Sequence, residues 1–206
     1  MGLNLRASDG VERLLGWGIY VVGLLPAAVY FALGASGGLG ADPVRAFEQA
    51  LGIWALRFLI LTLMVTPLRT LVGVNLLRFR RALGLLTFWY VAMHFAVYLL
   101  LDRGLYWDAI LGDIAKRPFI TFGFAALVLL VPLAITSNRL SIRKLGKRWR
   151  VLHRLVYAIA VLAGIHYLMA TKVLEIDQII HVGLLALLLA FRPVRALMPR
   201  QQRRAA

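Results

Sequence analysis

The chain has 206 residues, 61% of them hydrophobic, and a formal charge of +15 from 24 Lys and Arg against 9 Asp and Glu. That apolar fraction excludes an ordinary soluble domain and places the chain among membrane proteins. The absence of cysteine excludes disulfides, iron–sulfur clusters and thiol catalysis, and the positive charge follows from loop topology without nucleic acid as a partner.

In chain order, apolar stretches predict six transmembrane spans, at about 14–33, 53–70, 82–101, 118–136, 152–171 and 177–191. Each approaches the roughly 20 residues that cross about 30 Å of hydrocarbon, the last being short. The first is longer than the apolar region of a signal peptide, so it is expected to stay as an uncleaved span. Gly37, Gly38 and Gly40 predict a tight turn. Asp42-Pro43 then reads as an N-cap with proline at the first helical position, so a short amphipathic surface helix is expected ahead of span two. The glycines are no dinucleotide fingerprint, because no strand precedes them and the GxGxxG spacing is absent. Pro26, Pro67 and Pro132 fall inside spans, where bundles tolerate kinks. No internal repeat is visible. Residues 1–206 therefore read as a single all-α membrane domain, a six-helix transmembrane bundle.

Loop charge orients it. One side would hold most of the cations, including Arg6, Arg13, Arg69, Arg80, Arg143, Lys147, Arg154, Arg192, Arg195, Arg200, Arg203 and Arg204. The other would hold only Arg45, Arg103, Lys116, Arg117 and Lys172, together with the acids Asp42, Glu48, Asp102, Asp108, Asp113, Glu175 and Asp177. The positive-inside rule then places both termini in the cytoplasm. The inner cations have two readings, contact with anionic lipid and a docking face for a soluble donor.

Three histidines lie within apolar spans: His94 in span three, His153 and His166 in span five. Imidazole is costly in hydrocarbon unless it faces the bundle interior and has a partner. Neutral imidazoles from facing helices suit axial ligation of haem. His94 stands about 20 Å along an outward-running helix from Arg81, and His166 about 9 Å before Lys172. Both are thus expected at similar depth in the outer half, as one bis-imidazole pair. His153 belongs about 20 Å further in, and reads either as a ligand of a second haem or as an interfacial imidazole. His181, near the outer end of span six, reads as interfacial or as a pocket-lining residue. Arg57, inside span two, either snorkels to the interface or partners a haem propionate.

These residues also carry a family resemblance. LGKRWRVLHRLVYAIAVLAGIHYL (145–168), RRALGLLTFWYVAMHF (80–95), GGLGADPV (37–44) and TPLR (66–69) resemble the MsrQ (YedZ) family over essentially the whole chain. These are haem-binding membrane subunits of periplasmic methionine-sulfoxide reductase systems. They fall within the ferric reductase-like transmembrane group shared with NADPH oxidases and metalloreductases. The resemblance implies one or two b-type haems, FMN, and the bacterial inner membrane. It also implies electron delivery to a periplasmic molybdenum-containing methionine-sulfoxide reductase. His94, His153 and His166 match the family's histidine positions. NADPH oxidases carry two histidines on each of two helices, whereas span three here has one.

No flavin–nicotinamide domain is expected, so electrons would come from a quinol or a soluble flavin reductase. The chain then serves as an electron-transfer subunit rather than the catalytic one. The basic segment 138–150 is a candidate for an FMN phosphate. Two other functions stand beside this one: a transporter that handles protons or a metal ion through its buried histidines and Arg57, and a metalloreductase or superoxide-forming oxidase of the same group.

Overall fold

The computed structural model describes residues 9–171 and 173–197. Of the cations used to orient the chain, Arg6, Lys172, Arg200, Arg203 and Arg204 lie outside the described residues. Among those described there are helices and no strands: α1 (Asp9–Ala35), α2 (Pro43–Pro67), α3 (Arg80–Val97), α4 (Trp107–Lys116), α5 (Pro118–Ile135), α6 (Arg139–Leu145), α7 (Lys147–Leu152), α8 (Leu155–Met169) and α9 (Ile176–Leu197). Among the described residues, six helical stretches are long and apolar enough to cross a bilayer: Gly16–Ala35, Pro43–Val72, Leu77–Asp102, Pro118–Ile135, Lys147–Met169 and Ile176–Arg195.

The second span departs from the sequence expectation. Asp42 does cap a helix, accepting the Arg45 amide at 3.1 Å with proline in the first turn. That helix is no separate surface element. It runs unbroken to Pro67, because nothing between Pro43 and Leu51 stops a helix and Glu48 finds a polar cavity to face. At its far end Pro67 leads into a π-helical turn, Leu68–Val72, closed by Gly73 at φ 76°. A second π-helical turn, Tyr98–Asp102, ends span three. The short helix α4, absent from the sequence reading, follows it. Span five is broken at His153–Arg154, where α7 stops and α8 begins.

Two helical hairpins carry most of the packing, α2 on α3 and α5 on α8. Leu56, Leu59 and Leu63 of α2 meet Leu130 of α5, Ile159 of α8 and Leu185 of α9 in one core. A second core joins Leu51 and Phe58 to Leu86 and Tyr90 of α3 and to Ala27 of α1. Pro26 lies inside α1, where its missing N–H removes a rung of the helical ladder. The fully buried Tyr90 hydroxyl donates to the Gly23 carbonyl at 2.7 Å and accepts from the Ala27 amide at 3.1 Å. It thus bridges two groups that normally pair across one helical rung. Gly23 permits this approach, since a Cβ there would lie 2.5 Å from Leu86 Cδ1. Apolar side chains such as Val21, Val22, Phe31, Val128 and Leu187 are left exposed on the outside, as a bundle solvated by lipid requires.

Candidate functional site: a two-histidine cavity

Helices α2, α3, α5 and α8 surround a cavity of about 480 Å³, within the range of cofactor pockets. Its walls are apolar, with Leu56, Leu59, Val91, Phe124, Leu127 and Leu130 among them. Its mouth is polar and lies at the end where α2 begins and α3 finishes, with Asp42, Arg45, Glu48, Asp102, Arg103 and Arg117.

His94 on α3 and His166 on α8 both line this cavity. Their ring centroids are 6.2 Å apart and their planes are 76° from parallel. His94 Nδ1 lies 2.8 Å from the Glu48 carbonyl and His166 Nδ1 lies 2.7 Å from the Phe119 carbonyl. A carbonyl can only accept, so Nδ1 carries the proton in both rings and Nε2 keeps its lone pair. This is the state in which imidazole binds a metal, with its other nitrogen tied to a second group. Metal–imidazole bonds of about 2.0 Å and a ring radius of about 1.1 Å put two trans imidazole centroids roughly 6 Å apart, as found here. The residues present therefore fit a haem held between two axial histidines.

Charges crowd the mouth. Asp113 of α4 bridges Arg103 at 2.7 Å and Arg117 at 2.9 Å, and accepts from the Tyr98 hydroxyl at 3.1 Å. Arg103 also lies 3.2 Å from Asp102. Glu48 presents a carboxylate oxygen 3.9 Å from His94 Nε2. Arg45, Arg103 and Arg117 are the cations that line the cavity, and guanidinium is well matched to a carboxylate.

The remaining sequence candidates lie elsewhere. Arg57 does not line this cavity. Its Nε donates to His181 Nε2 at 3.4 Å and its guanidinium sits 5.0 Å above the Trp54 ring. His181 is buried, with Nδ1 on the Asp177 carbonyl of its own helix at 2.8 Å. Asp177 in turn accepts from the Tyr167 hydroxyl at 2.8 Å. His153 stands at the break between α7 and α8, stacked on Trp149 at 3.8 Å. Its Nδ1 donates to the Trp149 carbonyl of the preceding turn at 3.1 Å, and its Nε2 is buried with no partner among the described residues. The carboxylate of Glu48 and the Arg103–Asp113–Arg117 bridge carry no signal in the sequence beyond loop charge.

Fold and site define a class first: a multi-pass helical membrane protein with two metal-competent imidazole nitrogens in one cavity. Comparison with known proteins then fixes the family. The model of the ferric reductase like transmembrane component matches residues 51–164. A protein-methionine-sulfoxide reductase heme-binding subunit MsrQ of Brucella anthropi is 58% identical over 179 residues, covering 87% of this chain and 81% of that protein. The MsrQ of Rhizobium meliloti is 57% identical over 187 residues, covering 89% and 87%. That of Agrobacterium fabrum is 54% identical over 179 residues, covering 87% and 83%. The chain belongs to the ferric reductase-like transmembrane family and, within it, to the MsrQ family. No solved structure matches it.

Proposed function

We propose that residues 1–206 form one electron-transfer domain, a b-type cytochrome of the bacterial inner membrane. His94 and His166 are its axial ligands, and Arg45, Arg103 and Arg117 answer the carboxylates at the haem edge. Haem bound there supplies a one-electron carrier whose potential responds to its ligands, hydrogen bonds and burial. The protein's part would be to present two neutral imidazoles to the cavity with Nε2 unbonded, to keep water from the apolar walls, and to neutralise anions at the mouth. The single observation that supports this most is the pair of rings 6.2 Å apart, each with Nδ1 committed and Nε2 free.

The base-bearing end faces the cytoplasm in this reading, with both termini, and the acid-bearing end faces the periplasm. Electrons enter from quinol or from a soluble flavin reductase. They leave through the cavity mouth to a periplasmic molybdenum-containing reductase that repairs methionine sulfoxide in oxidised proteins. The relatives' printed name, heme-binding subunit of a methionine-sulfoxide reductase, supports the pairing with such a partner. His153 is the candidate for a second haem near the base-bearing end. FMN is assigned to the basic helices α6 and α7, whose cations Arg139, Arg143, Lys144, Lys147, Arg148 and Arg150 suit a phosphate.

The test is a reduced-minus-oxidised spectrum of the purified protein, alone and mixed with the reduced periplasmic partner. The expected result is a bis-histidine b-type signal that reoxidises only when partner and methionine sulfoxide are both present. A colourless protein, or a haem protein indifferent to the partner, would overturn the proposal.

A further inference from the structure

Both axial-ligand candidates are held by the same local device, built twice. In each, a histidine on one membrane span donates Nδ1–H to a main-chain carbonyl on the span before it, and the residue four positions beyond that carbonyl is glycine. The first copy is Glu48, Gly52 and His94; the second is Phe119, Gly123 and His166. The sequence distance from carbonyl to histidine is 46 residues in one and 47 in the other. The two copies occupy the two closely packed hairpins, α2–α3 and α5–α8.

The glycine has a physical reason to be there. Side chains in an α-helix lean toward its N-terminus, so a Cβ overhangs the turn before it. It therefore crowds the carbonyl four residues back, which already accepts the helical N–H and has one lone pair left. A Cβ on Gly123 would stand 2.8 Å from His166 Nδ1 and 2.9 Å from its Cε1. A Cβ on Gly52 would stand 3.3 Å from both Nδ1 and Cε1 of His94. In both cases the atom struck is the ring edge that makes the hydrogen bond. The other histidines show the contrast. His153 and His181 each donate to a carbonyl of the preceding turn of their own chain segment, four residues back, and no glycine among the described residues meets either ring.

We infer that Gly52 and Gly123 are paired positioning residues for the haem ligands. Each opens a window in a neighbouring helix through which the axial imidazole reaches a carbonyl. That contact fixes the tautomer, so that Nε2 faces the metal. It also fixes the ring plane, and with it the 76° between the two rings. It further makes each imidazole a stronger donor, because a hydrogen bond from Nδ1–H raises ligand basicity. A stronger donor favours ferric over ferrous iron, so the two windows together hold the haem potential down. The inference rests on His94 and His166 being the ligands.

The experiment compares wild type with Gly123→Ala, Gly52→Ala and Gly164→Ala, purified in detergent with haem bound. Gly164 lies on α8 with His166, but a Cβ there would meet only Leu185 Cδ1 at an ordinary 3.7 Å. Three readouts are taken: haem retained per protein, midpoint potential, and the ferric electron paramagnetic resonance spectrum. The last responds to the angle between axial imidazole planes and is highly anisotropic when they are near perpendicular. Gly123→Ala should raise the potential, change the anisotropy and lose part of the haem. Gly52→Ala should move the potential the same way by less, in keeping with its longer contact. Gly164→Ala should match wild type in all three. Should Gly123→Ala fail to accumulate in membranes, Gly52→Ala alone decides the matter. Haem-loaded variants with wild-type potential and spectrum would overturn the inference and leave the functional proposal standing. Wild type without haem would overturn the functional proposal itself.

Discussion

His166 and His153 lie on the same span, yet their surroundings have little in common. At the acid-bearing end, His166 and His94 reach across to other helices for their Nδ1 hydrogen bonds and share a cavity. Of the cations there, Arg103 and Arg117 are both answered by Asp113. At the base-bearing end, His153 bonds back to its own segment and stacks on Trp149. Arg192 there leans on the Tyr157 ring at 4.5 Å and on the Thr66 hydroxyl at 3.4 Å, and no ion pair among the described residues involves Arg69, Arg80, Arg192 or Arg195. Three histidines in apolar spans look alike in a sequence. What separates them is whether a neighbouring helix supplies both a carbonyl for Nδ1 and a facing imidazole for Nε2.

The sharpest way to break this comparison is to remove the rings one at a time. His94→Ala or His166→Ala should abolish most of the bis-histidine absorbance, since one imidazole cannot hold the cavity's haem from both sides. His153→Ala should leave the signal of the two-histidine cavity in place, whatever it does to a second haem. Haem content by pyridine haemochrome, read beside the redox difference spectrum, checks all three. Equal loss in all three variants would mean that the two ends form one cooperative site.

An intermediate effect is expected at the mouth. Asp113 is only 12% exposed in its side chain and serves two guanidiniums and a tyrosine hydroxyl at once. Asp113→Asn would leave Arg103 with the weaker neighbour Asp102. Breaking a buried pair costs roughly 3–5 kcal/mol. Arg117 is about half exposed, and an exposed pair contributes about 0–1 kcal/mol, so a loss of roughly 1–3 kcal/mol is expected. Thermal unfolding in detergent measures it. Because the freed arginines still line the cavity, haem should be retained at near wild-type stoichiometry. Loss of haem without loss of stability would show that Asp113 acts on the cofactor and not on the loop.

The spans and the matching depth of His94 and His166 were legible in the sequence, because hydrophobic length and rise per residue determine both. The Asp42-Pro43 helix start was legible too, since cap chemistry is local. Its continuation into the membrane was not: Glu48 and Gln49 read as surface residues until a polar cavity is known to face them. The glycine windows were invisible for a related reason. Gly52 and Gly123 acquire meaning only when it is known which helix lies against them and that histidine is the residue it presents. The repeat they reveal escaped detection because Glu48 and Phe119 contribute a main-chain atom, so the side chain at that position is free to differ.

Arg57 gives the smallest effect and the finest test of the boundary of the site. As a cation inside a span it was a natural partner for a haem carboxylate, and its position in the sequence could not say which way it faced. In the structure it turns away from the cavity toward α9, with a 3.4 Å contact to His181 and a 5.0 Å stack on Trp54. Truncation to Arg57→Gln removes one long hydrogen bond and one cation–π contact, together worth about 1 kcal/mol. His181 keeps its Nδ1 bond to the Asp177 carbonyl, so its tautomer is unchanged. The expected outcome is wild-type haem content and a midpoint potential close to wild type, with a slight drop in thermal stability. Arg103→Gln, by contrast, removes a cation that lines the cavity and should lower the potential, because a positive charge close to the iron favours the reduced state. A potential shift from Arg57→Gln as large as that from Arg103→Gln, of either sign, would put Arg57 back among the residues that face the cofactor.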